Sequence, residues 1–259
     1  MNLNPIPGRL PARLAGLVYS LFSYGLFLLS VLYLIGFLGR VAVPKHIDDG
    51  MVIDDWLAAL INLSLLLLFA VQHTVMARKG FKAWITRYIS TSVERSTYVL
   101  LSSLVLILIF WLWQPMPSHL WTLDGALTSR LSNTVFWLGW GLILIATFQI
   151  SHFELFGLRQ AIDRFQNTAP RAPTLKTPTL YKLVRHPLYL GFLIVFWATP
   201  DMSAGRLLFA LGMSIYLFIG VRFEERDLVD LFGEEYRRYQ KKVGMVLPRL
   251  GSGERGKKT

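Results

Sequence analysis

Two short polar clusters flank an apolar stretch late in the chain. The first is Arg185, His186 and Pro187, with Tyr189 and Gly191 close behind. The second is the carboxylate pair Glu224 and Glu225, followed by Phe232, Gly233, Tyr236 and Tyr239. The residues between are mostly apolar, interrupted at Pro200-Asp201-Met202-Ser203-Ala204-Gly205. Two helices joined at that break return both polar ends to one side of a membrane. An imidazole, aromatic rings and two carboxylates then converge on one small polar ligand. Pro187 suits the first turn of a helix, where its missing N–H is not needed. His186 is then the N-cap, and the free backbone N–H groups favour a ligand anion. Arg185 adds a charge-assisted contact. The Tyr189 face suits a ligand cation, and Gly191 permits close approach. Blander readings of the same residues stay open. Arg-His-Pro marks a membrane entry point, Tyr189 is an interfacial aromatic, and Gly191 packs helices. Glu224 and Glu225, read as the end of the return helix, oppose its dipole, so they need a partner. Arg222 and Arg226 or a ligand with hydroxyl or amino donors would serve.

Further histidines add to the set. His73 and His152 fall at the same side of the bundle as His186, while His46 and His119 fall at the other. Ionisable groups near the hydrocarbon are costly and mark function by default. A neutral imidazole accepts a proton directly or through water, so His73 and His152 are the candidate bases. His73 is favoured, because its span is otherwise almost wholly apolar. Tyr24 on the first span is a candidate partner of either histidine. Glu94 and Arg95 belong to the same wall, with an exposed ion pair as the alternative.

The elements that position these residues are membrane spans. Hydrophobic residues make up 53% of the 259 and charged residues 17%, against roughly 25% charged in an average soluble protein. Mean hydropathy is +0.44. Apolar segments fall at 14–38, 56–77, 97–113, 134–151, 187–200 and 206–223. The first reads as a span rather than a cleaved signal. The expected fold is all-α: four spans, a C-terminal helical hairpin, and an amphipathic helix from 223 to 243 interrupted at Gly233. Pro170, Pro173 and Pro178 keep 152–186 from being one continuous helix. The tail 251–259 is read as disordered, and no repeat is visible. The whole chain, 1–259, is one domain, with N-terminal spans over 1–151 and a ligand-binding unit over 177–248.

The absence of cysteine excludes disulfides, thiolate metal sites and a cysteine nucleophile, and no metal site is expected. The net charge of +11 is distributed between spans, so it points to anionic lipid headgroups rather than nucleic acid. Lys and Arg number 5 in 78–96, 6 in 152–186 and 10 in 222–259, against 2 in 39–55 and 1 in 114–133. The positive-inside rule places both termini and the rich loops in the cytoplasm.

The C-terminal motifs, from about Thr177 to Pro248, resemble the integral-membrane methyltransferases that include isoprenylcysteine carboxyl methyltransferase and phospholipid N-methyltransferases. The resemblance implies an S-adenosylmethionine pocket lined by Tyr181, Arg185, His186, Pro187, Tyr189, Gly191, Glu224 and Glu225, with S-adenosylhomocysteine as product. Upstream, Val43-Pro44-Lys45-x-Ile47-Asp48, Gln72-His73-Thr74-Val75-Met76-Ala77-Arg78, Glu94-Arg95-Ser96-Thr97-Tyr98 and His152-Phe153-Glu154-Leu155-Phe156-Gly157-Leu158-Arg159-Gln160 resemble bacterial methanethiol S-methyltransferases. Some of these also recur in a related membrane family associated with nitrite and nitric oxide reduction. The resemblance implies S-methylation of methanethiol, a small volatile thiol, to dimethyl sulfide in a bacterial inner membrane, without an obligate protein partner. Tyr24 and Arg95 are the expected substrate contacts. One rival is a methyltransferase for a larger lipid or prenylated acceptor, which predicts a wide lateral opening between helices. Another is a transporter or assembly factor, which leaves the clustered motifs unexplained.

Overall fold

The computed structural model describes residues 10–169 and 172–249. The tail expected to be disordered lies outside the described residues. Five helices are long and apolar enough to cross a membrane: α1 (Leu10–Gly39), α2 (Asp55–Ala77), α4 (Thr91–Leu112), α5 (Ala126–Ile150) and α10 (Ala204–Phe232). A sixth apolar helix, α9 (Pro187–Trp197), has 11 residues, about 16 Å of rise. Short helices α3 (Lys79–Ile85), α6 (His152–Leu155), α7 (Leu158–Phe165), α8 (Thr179–Leu183) and α11 (Glu234–Lys242) gather at one end. The fold is therefore a helical membrane bundle, and 152–186 is broken as its prolines require.

Three boundaries differ from the expectation, and each has a physical reason. The count is five long spans rather than four plus a hairpin, because α10 alone has 29 residues. Its charged last turns leave the apolar layer without ending the helix, since loss of hydropathy does not break backbone hydrogen bonds. Glu224 and Glu225 consequently lie inside α10 rather than at its end. The separate amphipathic helix begins at Glu234, after Gly233 at φ +57°, a backbone region that favours glycine. The fourth span begins at Ala126 rather than 134, extended by a polar first turn.

Close helix packing follows from small residues, as is usual in membranes. Ser20, Ser23 and Ser30 are buried along α1, and Ser96 on α4 donates to Ser20 Oγ at 2.8 Å. On α9, Gly191 packs against α5: a Cβ there would lie 3.0 Å from the Gly139 carbonyl and 2.7 Å from Ile143 Cγ1.

The α9–α10 hairpin reaches the opposite end of the bundle through the residues that link the two helices. Its tip, β2 (Asp201–Ser203), pairs antiparallel with β1 (His119–Thr122) from the α4–α5 loop. Ala204 N–H donates to Ser118 O at 2.8 Å, and Gly205 N–H to Met116 O at 3.1 Å. Arg206, 5% exposed, donates to Leu38 O at 2.5 Å and lies 4.0 Å from Asp48. Arg40 pairs with both Asp48 and Asp201, and His119 with Asp201. Burial raises the Asp201 carboxyl, but hydrogen bonds from Arg40 and His119 outweigh it and hold the group below its usual range. These contacts close the end of the bundle opposite His186.

Gly191→Val forces atoms into the α5 backbone, and overpacking of this kind costs about 1–3 kcal/mol. The thermal midpoint in detergent should drop well below that of the wild type. An unchanged midpoint would show that α9 and α5 are not held by this contact.

Candidate active site

The Arg-His-Pro motif sits where α9 begins. His186 is the N-cap and Pro187 the first helical residue, as the sequence requires. The preceding residues run beside the chain after α11. Val184 bridges Gly244, Arg185 N–H donates to Gly244 O at 2.8 Å, and His186 N–H to Met245 O at 3.0 Å. The motif is thus clamped by the C-terminal segment.

The polar side chains divide into two layers. The inner layer satisfies itself. Arg185 donates through Nε to Glu225 Oε1 at 2.7 Å, lies 2.6 Å from it through its second terminal nitrogen, and donates to the Gln240 and Val243 carbonyls. His186 Nε2 lies 3.1 Å from the same oxygen, and Gln240 donates to Glu225 Oε2 at 3.1 Å. Side-chain exposures are 9% for Arg185, 5% for His186 and 16% for Glu225. The outer layer is accessible. Glu224 is 45% exposed, and Tyr189 donates to its Oε2 at 2.6 Å. The backbone N–H groups of Leu188 and Tyr189 find no backbone acceptor among the described residues. Gly191 lies deeper, in the α5 contact. Tyr181 is buried below, donating to Ala146 O at 3.3 Å and accepting at its carbonyl from Tyr239. Burial raises the Tyr181 hydroxyl well above its ordinary value.

A second cluster faces this one across the bundle. His73 on α2 stacks on Phe69 at 5.1 Å between ring centroids. Tyr98 of α4 lies 4.7 Å away and Tyr216 of α10 meets the ring edge-on at 6.0 Å. Arg95 covers Tyr98 at 5.0 Å and donates to Leu155 O at 2.8 Å. Tyr216, which meets His73, stands on the same helix as Glu224, which accepts from Tyr189. This brings Tyr189, Glu224, His73 and Arg95 to one end of the bundle.

His152 opens α6, just after α5, inside an aromatic shell of Tyr24, Phe148, Phe153 and Phe156. Thr147 gives its proton to Leu144 O at 2.8 Å, so its oxygen accepts from His152 Nδ1–H at 2.9 Å. Nε2 then accepts from the Tyr24 hydroxyl at 2.7 Å. Both ring nitrogens are engaged, and burial holds the imidazole below its ordinary pKa.

Sequence reasoning did not single out Ser102 or Tyr216, nor give Tyr98 a role. Helical spacing could have found them. Ser102 stands one turn beyond Tyr98, and Tyr216 about two turns before Glu224, each on its neighbour's face.

Five long apolar helices enclosing a polar site at one end define an integral-membrane protein of the all-helical class. Its family is shown by the chain itself: residues 61–245 match the family described as NnrU protein, and the chain belongs to that family. A protein of Pseudomonas deceptionensis named methanethiol S-methyltransferase is 56% identical over 92% of this chain and 91% of its own. One of that name from Mycobacterium tuberculosis is 45% identical over 91% of this chain and 97% of its own. Nurim of Bos taurus is 30% identical over 85% of this chain and 88% of its own. No solved structure matches.

The His152 environment has a pH consequence. Its folded pKa lies below the ordinary 6.5, so on acidification the unfolded chain takes up a proton that the folded site resists. Stability from this group is therefore lost as pH falls below about 6.5. Thermal midpoints at about pH 7.5 and about pH 5.5 should show a smaller acid drop in His152→Gln than in the wild type. Equal drops would contradict the assignment.

Proposed function

We propose that this protein transfers the methyl group of S-adenosylmethionine to methanethiol, giving dimethyl sulfide. The observation that carries the reading is the pairing of two sites at one end of the bundle. The accessible Glu224 carboxylate on α10, held by Tyr189 at the start of α9, lies at the same end of the bundle as a histidine held among aromatic rings. The acceptor's identity rests on the relatives named methanethiol S-methyltransferase, which align over most of the chain.

The residues fit the donor's chemistry. Glu224 Oε1 has no hydrogen-bond partner among the described residues and accepts from ligand hydroxyl or amino groups. The free N–H groups of Leu188 and Tyr189 suit a ligand carboxylate. The Tyr189 ring suits a cation. Arg185, His186 and Glu225 hold these groups in place rather than reach the ligand themselves, and Tyr181 and Gly191 fix the helices behind them. When bound, S-adenosylmethionine supplies a methyl group on a cationic sulfur and leaves as the thioether S-adenosylhomocysteine, once a thiolate sulfur has taken the methyl carbon.

The chain's own task is to make that thiolate. Thiols are mostly protonated at neutral pH, and the thiolate is the nucleophile. His73 accepts the thiol proton, and the nearby Arg95 charge favours the anion left behind. Tyr24 and His152 brace the α1–α6 wall of the site.

The positive loops support a cytoplasmic orientation for this end and for both termini, in a bacterial inner membrane. Arg237, Arg238, Lys241 and Lys242 on α11 then meet anionic headgroups.

Purified protein in lipid nanodiscs, given S-adenosylmethionine and methanethiol, should release dimethyl sulfide measurable by headspace gas chromatography. His73→Gln should lower turnover by about 10²–10⁴-fold, the usual contribution of a general base, with donor affinity preserved. Methyl transfer to lipid with none to methanethiol would sink the reading. Normal turnover in His73→Gln would move the proton acceptor to solvent.

A further inference from the structure

The polar neighbours of His73 crowd one ring nitrogen and leave the other alone. Ser102 Oγ lies 3.1 Å from Nδ1. Gln72, one residue before His73, reaches the same oxygen through Nε2 at 3.3 Å and also contacts Met76 Sδ at 3.0 Å. No hydrogen-bonding partner among the described residues lies at His73 Nε2.

The Ser102 hydroxyl has one proton to give. Its shortest acceptor is the Tyr98 carbonyl, one turn earlier on α4, at 2.9 Å. Gln72 Oε1 is farther, at 3.4 Å. With the proton on the carbonyl, the lone pairs of Oγ face His73 and Gln72. Nδ1 must then carry the hydrogen, and the lone pair of the neutral imidazole is on Nε2. The rings of Phe69, Tyr98 and Tyr216 hold the imidazole from its face, its side and its edge, so it does not turn over to exchange the two nitrogens.

We infer that Ser102, with Gln72 behind it, is a positioning residue that fixes His73 in the Nδ1–H form and aims Nε2 at the thiol proton. The inference rests on the reading of His73 as the base. In the step, the S–H bond breaks, its electron pair stays on sulfur, and the proton forms Nε2–H. The imidazolium keeps its Nδ1–H bond to Ser102, whose oxygen is oriented to favour the cation. The proton passes from Nε2 to bulk water before the next turnover. The charged and titratable groups facing His73 are Arg95 and Tyr98 on α4 and Tyr216 on α10, and Glu224 of α10 lies at the same end of the bundle. The ordinary pKa values of Arg95, Tyr98 and Tyr216 lie far above neutrality, so the acid limb belongs to the imidazole or to the Glu224 carboxylate, and a limb that moves together with the tautomer in Ser102→Ala belongs to the imidazole.

The test uses full-length protein labelled with ¹⁵N-histidine in lipid bilayers, read by solid-state NMR. The His73 resonances are those missing from His73→Gln. The wild type should show a protonated Nδ1 and a bare Nε2. Ser102→Ala should show both tautomers, with kcat down about tenfold, the worth of one hydrogen bond, and a displaced acid limb. The KM for methanethiol should change little. Ser102→Thr, which restores the hydroxyl, should recover the wild-type spectrum, kcat and pH profile. A protonated Nε2 in the wild type would overturn the inference. So would a Ser102→Ala variant with unchanged tautomer and pH profile, whatever its activity. If His73→Gln keeps full turnover, the base reading itself falls, and the spectra still report separately whether Ser102 sets the tautomer.

Discussion

The Glu225 carboxylate is the interaction on which the functional end of the bundle depends. One oxygen collects Arg185 and His186 from the start of α9, and the other accepts from Gln240 on α11. A single charge thereby ties α9, α10 and α11 together in a setting where most of its own surface is covered. Removing one partner of such a group leaves buried charge without compensation, which is more damaging than the pair is stabilising. The cluster therefore serves geometry more than stability. It holds the N-terminus of α9 at a set angle to α10, and that angle puts Tyr189 against Glu224.

The opposite end supplies the second constraint. Arg206, Arg40, Asp48 and Asp201 pin the tip of the α9–α10 hairpin to the end of α1 and the loop after it, and His119 and the β1–β2 pairing pin it to the α4–α5 loop. With the tip anchored there and Glu225 anchored at the other end, α10 cannot slide along its axis. Tyr216, between the two anchors, is thus kept against His73. The proposed methyl-donor residues and the proposed base belong to different helices, and α10 is the element that touches both sets.

Much of this was legible in the sequence. Long apolar runs marked the long helices, because a helix satisfies its own backbone hydrogen bonds inside a bilayer and a continuous apolar run of that length suits no barrel strand. Pro187 marked the first turn of α9 and Gly233 the break before α11, each through a backbone rule. The return of Glu224 and Glu225 to the Arg-His-Pro motif followed from the hairpin alone. What the sequence hid was of two kinds. Helix past Glu225 was expected, but its continuity with the return helix as one α10 was invisible to hydropathy, because a helix leaving the membrane keeps its hydrogen bonds while its side chains turn polar. The partners of Arg185 were invisible because two of them are backbone carbonyls, at Gln240 and Val243, and a carbonyl has no residue type. The pairing of His119–Thr122 with Asp201–Ser203 likewise joins two segments too short to carry a strand pattern.

On this reading Glu225 organises a proposed donor pocket that Glu224 and Tyr189 present to the ligand. Its most direct test is calorimetric titration of S-adenosylmethionine into wild-type, Glu225→Gln and Glu224→Gln protein, each shown by circular dichroism to keep its helices. Both substitutions should weaken binding: the first by loosening the α9–α11 clamp, the second by removing a ligand acceptor. Unchanged affinity in both folded variants would place the donor elsewhere in the bundle.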